Sequence, residues 1–342
     1  METRVLGSTG VRVTPFCLGA MMLGAWGNPD HDESVKIIHR ALDAGINLVD
    51  TADMYSSGES EEIVGAALAG GRRANVVLAT KVHNPMGEDP NQQGNSRRWI
   101  IGECENSLRR LRTDYIDLYQ VHRPDPAADI DETLGALSDL IHAGKICYAG
   151  TSTFPPSAIV EAQWTAQRRS RERFVCEQPP YSILVRGIEA DVLPVCQQYQ
   201  LGVITWGPLG SGWLSGRYRL NADLPASQRS NRLPRRFDMS IPGNQAKLEA
   251  ADRLARLAAE AGMSLIHMAI GFVLSHPAVT SVILGPRTLD HLESQLGSPA
   301  EGLPADLLDR IDAIVPPGMT LNPADSGYVP PALVHPEMRR RA

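Results

Sequence analysis

The chain has 342 residues, of which 43% are hydrophobic and 21% charged, and its formal net charge is −6. This composition is typical of a globular protein with a large core, and it excludes the protein-wide basic field expected of a nucleic-acid-binding protein. The five cysteines form no C-x-x-C pair, so we expect neither a disulfide framework nor a metal site. No apolar signal segment opens the chain, and no apolar run reaches the roughly 18 residues that span a membrane. The sequence therefore predicts a cytoplasmic protein that is not membrane-bound.

The first predicted element is a β-hairpin at residues 3–14, where two β-rich runs flank Gly-Ser-Thr-Gly. After the hairpin, short apolar runs alternate with longer amphipathic segments. Eight of the short runs are predicted to be strands, at residues 16–19, 46–50, 76–80, 115–120, 146–150, 174–178, 203–206 and 281–284.

The segments between the strands have the period of a helix. Residues 32–45 carry apolar side chains at Val35, Ile38 and Leu42, and Gly45 follows as a stop signal. Residues 97–111 and 131–145 repeat this pattern. Because strands and helices alternate, the sheet should be parallel. Eight repeats without a reversal favour an α/β fold of the closed (β/α)8 TIM barrel type, as a single domain over residues 1–342, rather than a doubly wound sheet.

Two long segments lack the hydrophobic periodicity of a strand or a helix. Residues 218–244 are rich in Pro, Arg and Ser and are predicted to form a loop after the seventh strand, and the tail at about 316–342 is also irregular. Long loops in compact domains are usually functional or disordered, so we expect the first loop to be mobile without a cofactor and partly ordered with one. Its arginines could equally be solvated charge; they are Arg229, Arg232, Arg235 and Arg236.

Polar side chains follow three successive predicted strands. In a (β/α)8 barrel the active site lies at the C-terminal ends of the strands. The second strand ends at Asp50, with Tyr55 just beyond it, the third at Lys81 and the fourth at His122. Each of these residues alone has a plainer interpretation, as a cap, a surface aromatic, a solvated lysine or a loop histidine. Their convergence at one end of the barrel favours a shared chemical role.

This group of side chains can move a proton. A free tyrosine, with a pKa of about 10, is too weak an acid for efficient transfer at neutral pH. A nearby ammonium group such as that of Lys81 lowers a phenol pKa, and the Asp50 carboxylate can keep Lys81 charged and oriented. The arrangement suits protonation of a carbonyl oxygen while hydride reaches the carbon.

Six segments together resemble the aldo-keto reductase family along nearly the whole chain. They read GINLVDTADMY, LATKV, LRRLRTDYIDLYQVHRPD, GKICYAGTSTF, EQPPYSIL and PLGSGWLSGRY, in that family's order. The resemblance implies that Tyr55 is the general acid and base, that Lys81 and Asp50 tune it, and that His122 orients the substrate. It also implies NADPH-dependent reduction of aldehydes or ketones without a metal. Trp26, Tyr55 and His122 are expected to line the substrate pocket.

The same resemblance implies a set of cofactor contacts. Tyr181 would stack on the nicotinamide, Ser152 and Gln178 would bind its carboxamide, and the backbone from Trp206 to Ser211 would wrap the pyrophosphate. Arg287 would meet the adenosine end, where a 2′-phosphate gives a preference for NADPH. The full implied set is Ala20, Met21, Asp50, Ser152, Thr153, Gln178, Tyr181, Trp206, Gly207, Pro208, Leu209, Ser211, Arg217, Gly285, Arg287, His291 and Gln295.

The chain departs from the family pattern at several cofactor positions. Thr153 stands where Asn is usual, and Trp206-Gly207 stands where Tyr-Ser is common, although Trp occurs there in potassium-channel β subunits. His291 and Gln295 replace the more usual Gln and Asn. None of these departures touches the four residues of the proton-transfer group.

Two other functions remain possible from the sequence. An isomerase or lyase barrel would use Lys81 to form a Schiff base with its substrate. A non-catalytic partner protein, like the channel β subunits, would bind the cofactor without turnover. The sequence predicts a small-molecule carbonyl substrate and no nucleic-acid partner, and it indicates neither the identity of the substrate nor the oligomeric state.

Overall fold

A closed barrel of eight parallel strands forms the centre of the molecule. The computed structural model describes residues 1–225, 230 and 232–341. The barrel strands are β3 (Phe16–Gly19), β4 (Leu48–Asp50), β5 (Val77–Val82), β6 (Ile116–Val121), β7 (Ile146–Ser152), β8 (Phe174–Gln178), β9 (Gly202–Thr205) and β10 (Ser281–Leu284). Each strand pairs with its neighbour in the chain, and β10 pairs with β3 to close the barrel. The predicted (β/α)8 TIM barrel is therefore confirmed, and the predicted strand ends differ by at most two residues. That residues 1–342 form one domain stays a prediction.

Helices follow most of the strands and pack around the barrel. They are α1 (His31–Asp43), α2 (Glu59–Ala67), α3 (Arg97–Leu111), α4 (Ile130–His142), α5 (Pro156–Arg169), α6 (Val192–Gln198), α7 (Pro242–Glu260), α8 (Leu265–Ser275), α9 (Leu289–Leu296), α10 (Ala305–Asp312) and α11 (Pro331–Val334). Their starts have side-chain caps where the sequence supplies them: Asp30, Ser96 and Asp129 each accept a hydrogen bond from the first turn of α1, α3 or α4. The predicted stop at Gly45 adopts φ 93°, a value that suits glycine after a helix end.

The N-terminal hairpin closes the bottom of the barrel. Strands β1 (Arg4–Val5) and β2 (Arg12–Val13) pair antiparallel, as predicted. Leu6 and Val13 are fully buried and pack with the apolar side chains that fill the lower barrel. A Cβ atom at Gly7 would lie only 2.5 Å from the carbonyl oxygen of Val175 and 2.6 Å from the amide of Gly202, so glycine permits this close approach. The hairpin does not cover the upper end of the barrel, where the strands have their C-terminal ends.

The long loop after β9 is anchored where its second half meets the barrel. Residues 226–229 and 231 lie outside the described residues, and the predictions for Arg229 and for the mobility of that part fall there. From Pro234 onward the segment is tied down, because Asn244 Nδ2 donates to the carbonyl oxygens of Arg235 and Asp238 at 3.0 and 2.8 Å. Lys247 Nζ donates to the carbonyl oxygen of Arg236 at 2.8 Å. This second half is therefore held in the described structure by buried partners on α7.

The described residues contain no single helix that is long and apolar enough to cross a membrane. One bent pair, Pro242–Glu260 with Leu265–Ser275, meets the length and composition criteria when the two helices are taken together. Both helices pack with buried faces on the barrel. Within the same described residues, no group of three or more His, Cys, Asp or Glu side chains is placed to hold a metal ion.

Candidate active site

Lys81 lies at the centre of the candidate site. Its side chain is fully buried on β5, and its ammonium group donates to Asp50 Oδ2 at 2.6 Å, to the carbonyl oxygen of Thr51 at 2.8 Å and to Tyr55 OH at 3.2 Å. These acceptors use all three N–H bonds of the ammonium group. The structure thus brings the predicted Asp50, Tyr55 and Lys81 into direct contact at the ends of two neighbouring strands.

A polar layer inside the barrel holds Asp50. Asp50, Gln120 and Gln178 come from β4, β6 and β8, and such alternate strands build one interior layer of a TIM barrel. Gln178 Nε2 donates to Asp50 Oδ1 at 2.8 Å, and Gln120 Nε2 donates to the same oxygen at 3.2 Å. The buried carboxylate therefore has partners on both oxygens. Sequence analysis missed Gln120, although it precedes His122 by two residues and strand alternation places both on one side.

His122 stands beside the phenol ring of Tyr55. The two ring centroids are 5.8 Å apart and the ring planes are inclined by 79°. His122 Nδ1 lies 3.1 Å from Asn84 Nδ2. Burial, together with the charges of Lys81 and Arg123, holds the pKa of His122 well below its ordinary value. The imidazole is therefore neutral near pH 7, with one nitrogen that donates and one that accepts a hydrogen bond.

The pKa values of Lys81 and Tyr55 are shifted by burial and by the contacts among Lys81, Tyr55 and Asp50. Burial by itself lowers the pKa of Lys81, but Asp50 and Tyr55 outweigh it, and the pKa lies above its ordinary value. Burial raises the pKa of Tyr55, with Lys81 acting to lower it and Asp50 to raise it. The sequence-based expectation that Lys81 lowers the phenol pKa is correct for that one interaction, but burial has the larger effect. Lys81 is therefore charged, and Tyr55 keeps its proton.

A strained turn presents Tyr55 to this group. In the turn Tyr55–Gly58, Ser56 and Ser57 have φ of 50° and 57°, a left-handed conformation that is uncommon for residues other than glycine. Arg110 packs under the turn so closely that a Cβ atom at Gly58 would lie 2.7 Å from its Cδ. The guanidinium of Arg110 is held by two buried carboxylates, on α2 and α3. The turn is thus fixed from below, as expected where strain persists at a functional site.

Comparison with known proteins identifies the family. The model for the "Aldo/keto reductase family" matches residues 15–316. The chain belongs to this family. A Bacillus subtilis (strain 168) protein named "Uncharacterized oxidoreductase YrpG" is 36% identical over 327 residues, covering 92% of this chain and 96% of that protein. A second B. subtilis protein, "Aldo-keto reductase YhdN", is 35% identical over 298 residues, covering 86% of this chain and 87% of that protein.

Relatives with a different name lie at a similar distance. A protein of Oryza sativa subsp. japonica named "Probable voltage-gated potassium channel subunit beta" is 34% identical over 329 residues, covering 92% of this chain and 97% of that protein. Aldo-keto reductases generally use NAD(P)H, and the family match with the oxidoreductase relatives identifies this chain as an NAD(P)H-dependent oxidoreductase.

At the nicotinamide end, the predicted residues surround an arginine that sequence analysis missed. Ser152 Oγ donates to the carbonyl oxygen of Gln178 at 2.9 Å. Arg123 Nη1 donates to Thr153 Oγ1 at 3.2 Å and to Ser152 Oγ at 3.4 Å. Thr153 adopts φ 59°, a left-handed value that asparagine tolerates better than a β-branched residue, which accounts for the usual Asn in the family. Since Gln178 Nε2 is bonded to Asp50, a contact with the carboxamide would fall to Gln178 Oε1.

The two aromatic residues near the predicted nicotinamide site differ in exposure. Tyr181 is 2% exposed, its hydroxyl donates to Glu189 Oε1 at 2.6 Å, and its ring packs on Phe272 with centroids 5.6 Å apart. Trp206 instead is partly buried against the side chains inside the barrel. It also touches the tail, because a Cβ atom at Gly327 would lie 2.7 Å from its ring. Trp206 is therefore the more exposed of the two rings, and stacking of Tyr181 on the nicotinamide stays a prediction.

The loop after β9, which is predicted to bind the pyrophosphate, contains several left-handed residues beside open space. Gly207, Gly210, Ser211 and Gly212 all have left-handed φ values, of 73°, 54°, 62° and 102°. The N–H groups of Gly210 and Gly212 donate to the carbonyl oxygens of Gly207 and Leu209, each at 2.9 Å, so an anion bound here would be met by other N–H groups of the loop. A Cβ atom at Gly207 or Gly212 would meet nothing within 4 Å, so these residues border open space. A pocket there is lined by Pro180, Tyr181, Val185, Trp206, Gly207, Gly210, Ser211, Arg236 and Asp325. Pro208 and Leu209 complete the same loop and turn toward the core.

The adenosine end combines cationic side chains with a helix start. Arg287 precedes α9, and burial, Arg287 and Arg217 together lower the pKa of His291, which places these side chains near one another. The helix start adds backbone amides that favour anions. Gln295 Oε1 is buried without a hydrogen-bond partner among the described residues, while its Nε2 donates to the carbonyl oxygen of His291 at 2.6 Å. An acceptor in this position suits the amino group of adenine. Gly285, just after β10, is exposed.

The remaining predicted residues line the barrel mouth around Tyr55. Ala20 is buried, and its backbone N–H donates to the carbonyl oxygen of Asp50 at 2.8 Å; Met21 next to it is half-buried. The ring centroid of Trp26 is 6.1 Å from that of Tyr55. The guanidinium of Arg232 lies 4.3 Å above the Trp26 ring centroid, so the long loop contributes to the mouth. These residues, together with the left-handed phosphate loop and the buried acceptor of Gln295, fit NAD(P)H.

Proposed function

We propose that this chain reduces an aldehyde or ketone to an alcohol with NADPH, and that Tyr55 donates the proton. The observation that supports this most directly is the position of Lys81 Nζ, which contacts Asp50 Oδ2 at 2.6 Å and Tyr55 OH at 3.2 Å. In this arrangement the protonated phenol of Tyr55 can donate its proton to a substrate while the charged Lys81 stays in place beside it.

Each residue of the group has a separate task in this proposal. Bound NADPH supplies the hydride. Tyr55 OH gives its proton to the carbonyl oxygen, and the negative charge that forms on the phenol oxygen is stabilised by the ammonium group of Lys81. Asp50 keeps that ammonium charged and in place. Neutral His122 donates a hydrogen bond to the substrate oxygen and so fixes its orientation.

A Schiff base on Lys81 is not favoured by this geometry. A lysine must be neutral to attack a carbonyl carbon, whereas the pKa of Lys81 is raised, because Asp50 and Tyr55 outweigh the effect of burial. All three of its N–H bonds are already used. A buried lysine held in this way serves as a fixed positive charge.

We assign the preference for NADPH to the cations at the adenosine end. Arg287 and Arg217 lie near His291 at the start of α9, where the 2′-phosphate that distinguishes NADPH from NADH would find a guanidinium partner. The cytoplasmic location stays a prediction from the sequence.

The experiment that tests the function is a screen of NADPH oxidation against a panel of aldehydes and ketones, with Tyr55→Phe as the key variant. We expect turnover by the wild type and a loss of about 10²–10⁴-fold in Tyr55→Phe, with NADPH binding retained because little volume is removed. Tyr199→Phe, a partly buried tyrosine on the outer layer, is the matched control. Wild-type turnover in Tyr55→Phe would remove Tyr55 from the mechanism. Absence of turnover on every carbonyl would favour a non-catalytic partner role of the kind that the name of the rice relative suggests.

A further inference from the structure

His122 has a neighbour that none of the sequence patterns indicated. Asn84 lies in the loop just after β5, and its Nδ2 is 3.1 Å from His122 Nδ1. The backbone on the His122 side of this contact is fixed, because the N–H of His122 donates to the carbonyl oxygen of Val82 at 2.9 Å. Val82 ends β5 two residues before Asn84, so the pairing of β5 with β6 brings Asn84 and His122 close together.

The chemistry of this contact selects one form of the imidazole. An amide NH₂ group is only a donor, so the ring nitrogen that faces it must offer a lone pair. A neutral imidazole carries one proton, and with a lone pair on Nδ1 that proton resides on Nε2. We propose that Asn84 is a positioning residue that holds His122 as the Nε2–H tautomer, so that His122 always presents a donor to the substrate oxygen. This inference rests on the proposed carbonyl reduction.

The charges around the ring reinforce the neutral state that this tautomer requires. Lys81, Arg123 and His83 all act against protonation of His122, in addition to burial. The remaining titratable neighbour in ring contact is Tyr55, which keeps its proton because burial raises its pKa. Among the residues that the structure describes, no carboxylate acts on the pKa of this ring. In this setting the tautomer is decided by hydrogen bonding at Nδ1.

The two tautomers would have opposite effects on the reaction. With the proton on Nε2, the ring stabilises the negative charge that develops on the carbonyl oxygen. With the proton on Nδ1, the ring would turn a lone pair toward that oxygen and repel it. Asn84 acts on the reaction only through His122, and it is expected to affect turnover much more than cofactor binding.

The test exchanges the donor for an acceptor. Asn84→Asp places a carboxylate at Nδ1, which should move the proton to Nδ1 and raise the pKa of His122, because an opposite charge favours the imidazolium form. Asn84→Ala removes the preference without reversing it. Asn91→Asp is the matched control, since it adds the same charge to an exposed position in the same loop. The tautomer is read by ¹⁵N NMR of the imidazole nitrogens in the full chain, with the His122 signals assigned by comparison with His122→Asn.

We expect Nε2–H in the wild type and in Asn91→Asp, and Nδ1–H or a doubly protonated ring in Asn84→Asp. The kcat of Asn84→Asp should fall on the order of 10²-fold, which is the usual cost of losing one donor to a developing oxyanion, with a smaller loss in Asn84→Ala. NADPH binding should be unchanged in all three variants. An Nδ1–H signal in the wild type, or an unchanged tautomer and kcat in Asn84→Asp, would overturn the inference. If the wild type turned over no carbonyl, the proposed function would be wrong, and the NMR result would still decide the tautomer.

Discussion

Replacement of Arg287 by alanine should weaken NADPH binding selectively. The backbone of Arg287 is held in place, because its carbonyl oxygen accepts a hydrogen bond from Asn28 Nδ2 at 3.0 Å. The half-buried Arg287 side chain lies at the start of α9 near His291, where Arg217 adds a second cation and Asp290 an opposing charge. The helix start and the two guanidinium groups together suit a 2′-phosphate.

The size of the effect follows from the kind of contact that is lost. A hydrogen bond to a charged group contributes about 1.5–3 kcal/mol, and 1.4 kcal/mol corresponds to a factor of ten in Kd. Arg287→Ala should therefore raise the Kd of NADPH about ten- to a hundredfold and leave that of NADH nearly unchanged. The assay is titration of both cofactors by quenching of protein fluorescence, with Arg169→Ala, which removes an exposed arginine on α5, as the control. Equal weakening of the two cofactors, or no change in either, would refute the assignment of the 2′-phosphate to Arg287.

Two further predictions concern buried charges. Lys81→Met should reduce kcat by about 10²–10⁴-fold while NADPH still binds, because the phenol loses the ammonium group that stabilises its anion; a loss below about threefold, with chemistry rate-limiting, would make Lys81 purely structural. Burial raises the pKa of Glu177 to about 7 from an ordinary 4.5. The folded protein therefore holds a proton that the unfolded chain releases, and the free energy of unfolding should fall by roughly 3 kcal/mol as the pH rises from about 4.5 to 7. Urea unfolding at several pH values in this range should show a smaller fall in the free energy of unfolding for Glu177→Gln than for the wild type. The same dependence of that free energy on pH in both proteins would contradict the raised pKa of Glu177.

Much of the fold and the central group could be predicted because their signals are local. Apolar runs and amphipathic segments mark the strands and helices, and the ends of the strands carry Asp50, Lys81 and His122. Chain order in a parallel barrel makes successive strands neighbours, so residues from β4, β5 and β6 had to meet at one end. The errors of one or two residues at strand ends arise because a strand continues as far as its neighbour can pair with it. Lys81 lies inside β5 for this reason, paired in register with Gln120.

The contacts that the sequence did not reveal depend on side-chain direction in loops. Tyr181 and Trp206 are both aromatic residues at strand ends, and nothing in their local sequence says which ring faces the barrel. Their difference in exposure comes from distant partners, since contacts with Glu189 and Phe272 cover Tyr181. Asn84 likewise reaches His122 from a loop of irregular conformation, beyond any period that a strand or helix would impose. The contacts of such residues are set by tertiary packing, so they are found only from the three-dimensional structure.

The similar distances to an oxidoreductase and to a channel β subunit mean that overall identity cannot distinguish catalysis from cofactor binding alone. The buried charges provide a better criterion. Burying a lysine and an aspartate is costly, and a well-packed apolar pair of similar volume is often at least as stable. A protein that only held the dinucleotide would need the phosphate loop and Arg287, but it would gain nothing from a charged Lys81 fixed 3.2 Å from Tyr55 OH. The presence of that costly pair at the mouth of the barrel, with a neutral His122 beside it, supports the proposal that this chain transfers a proton.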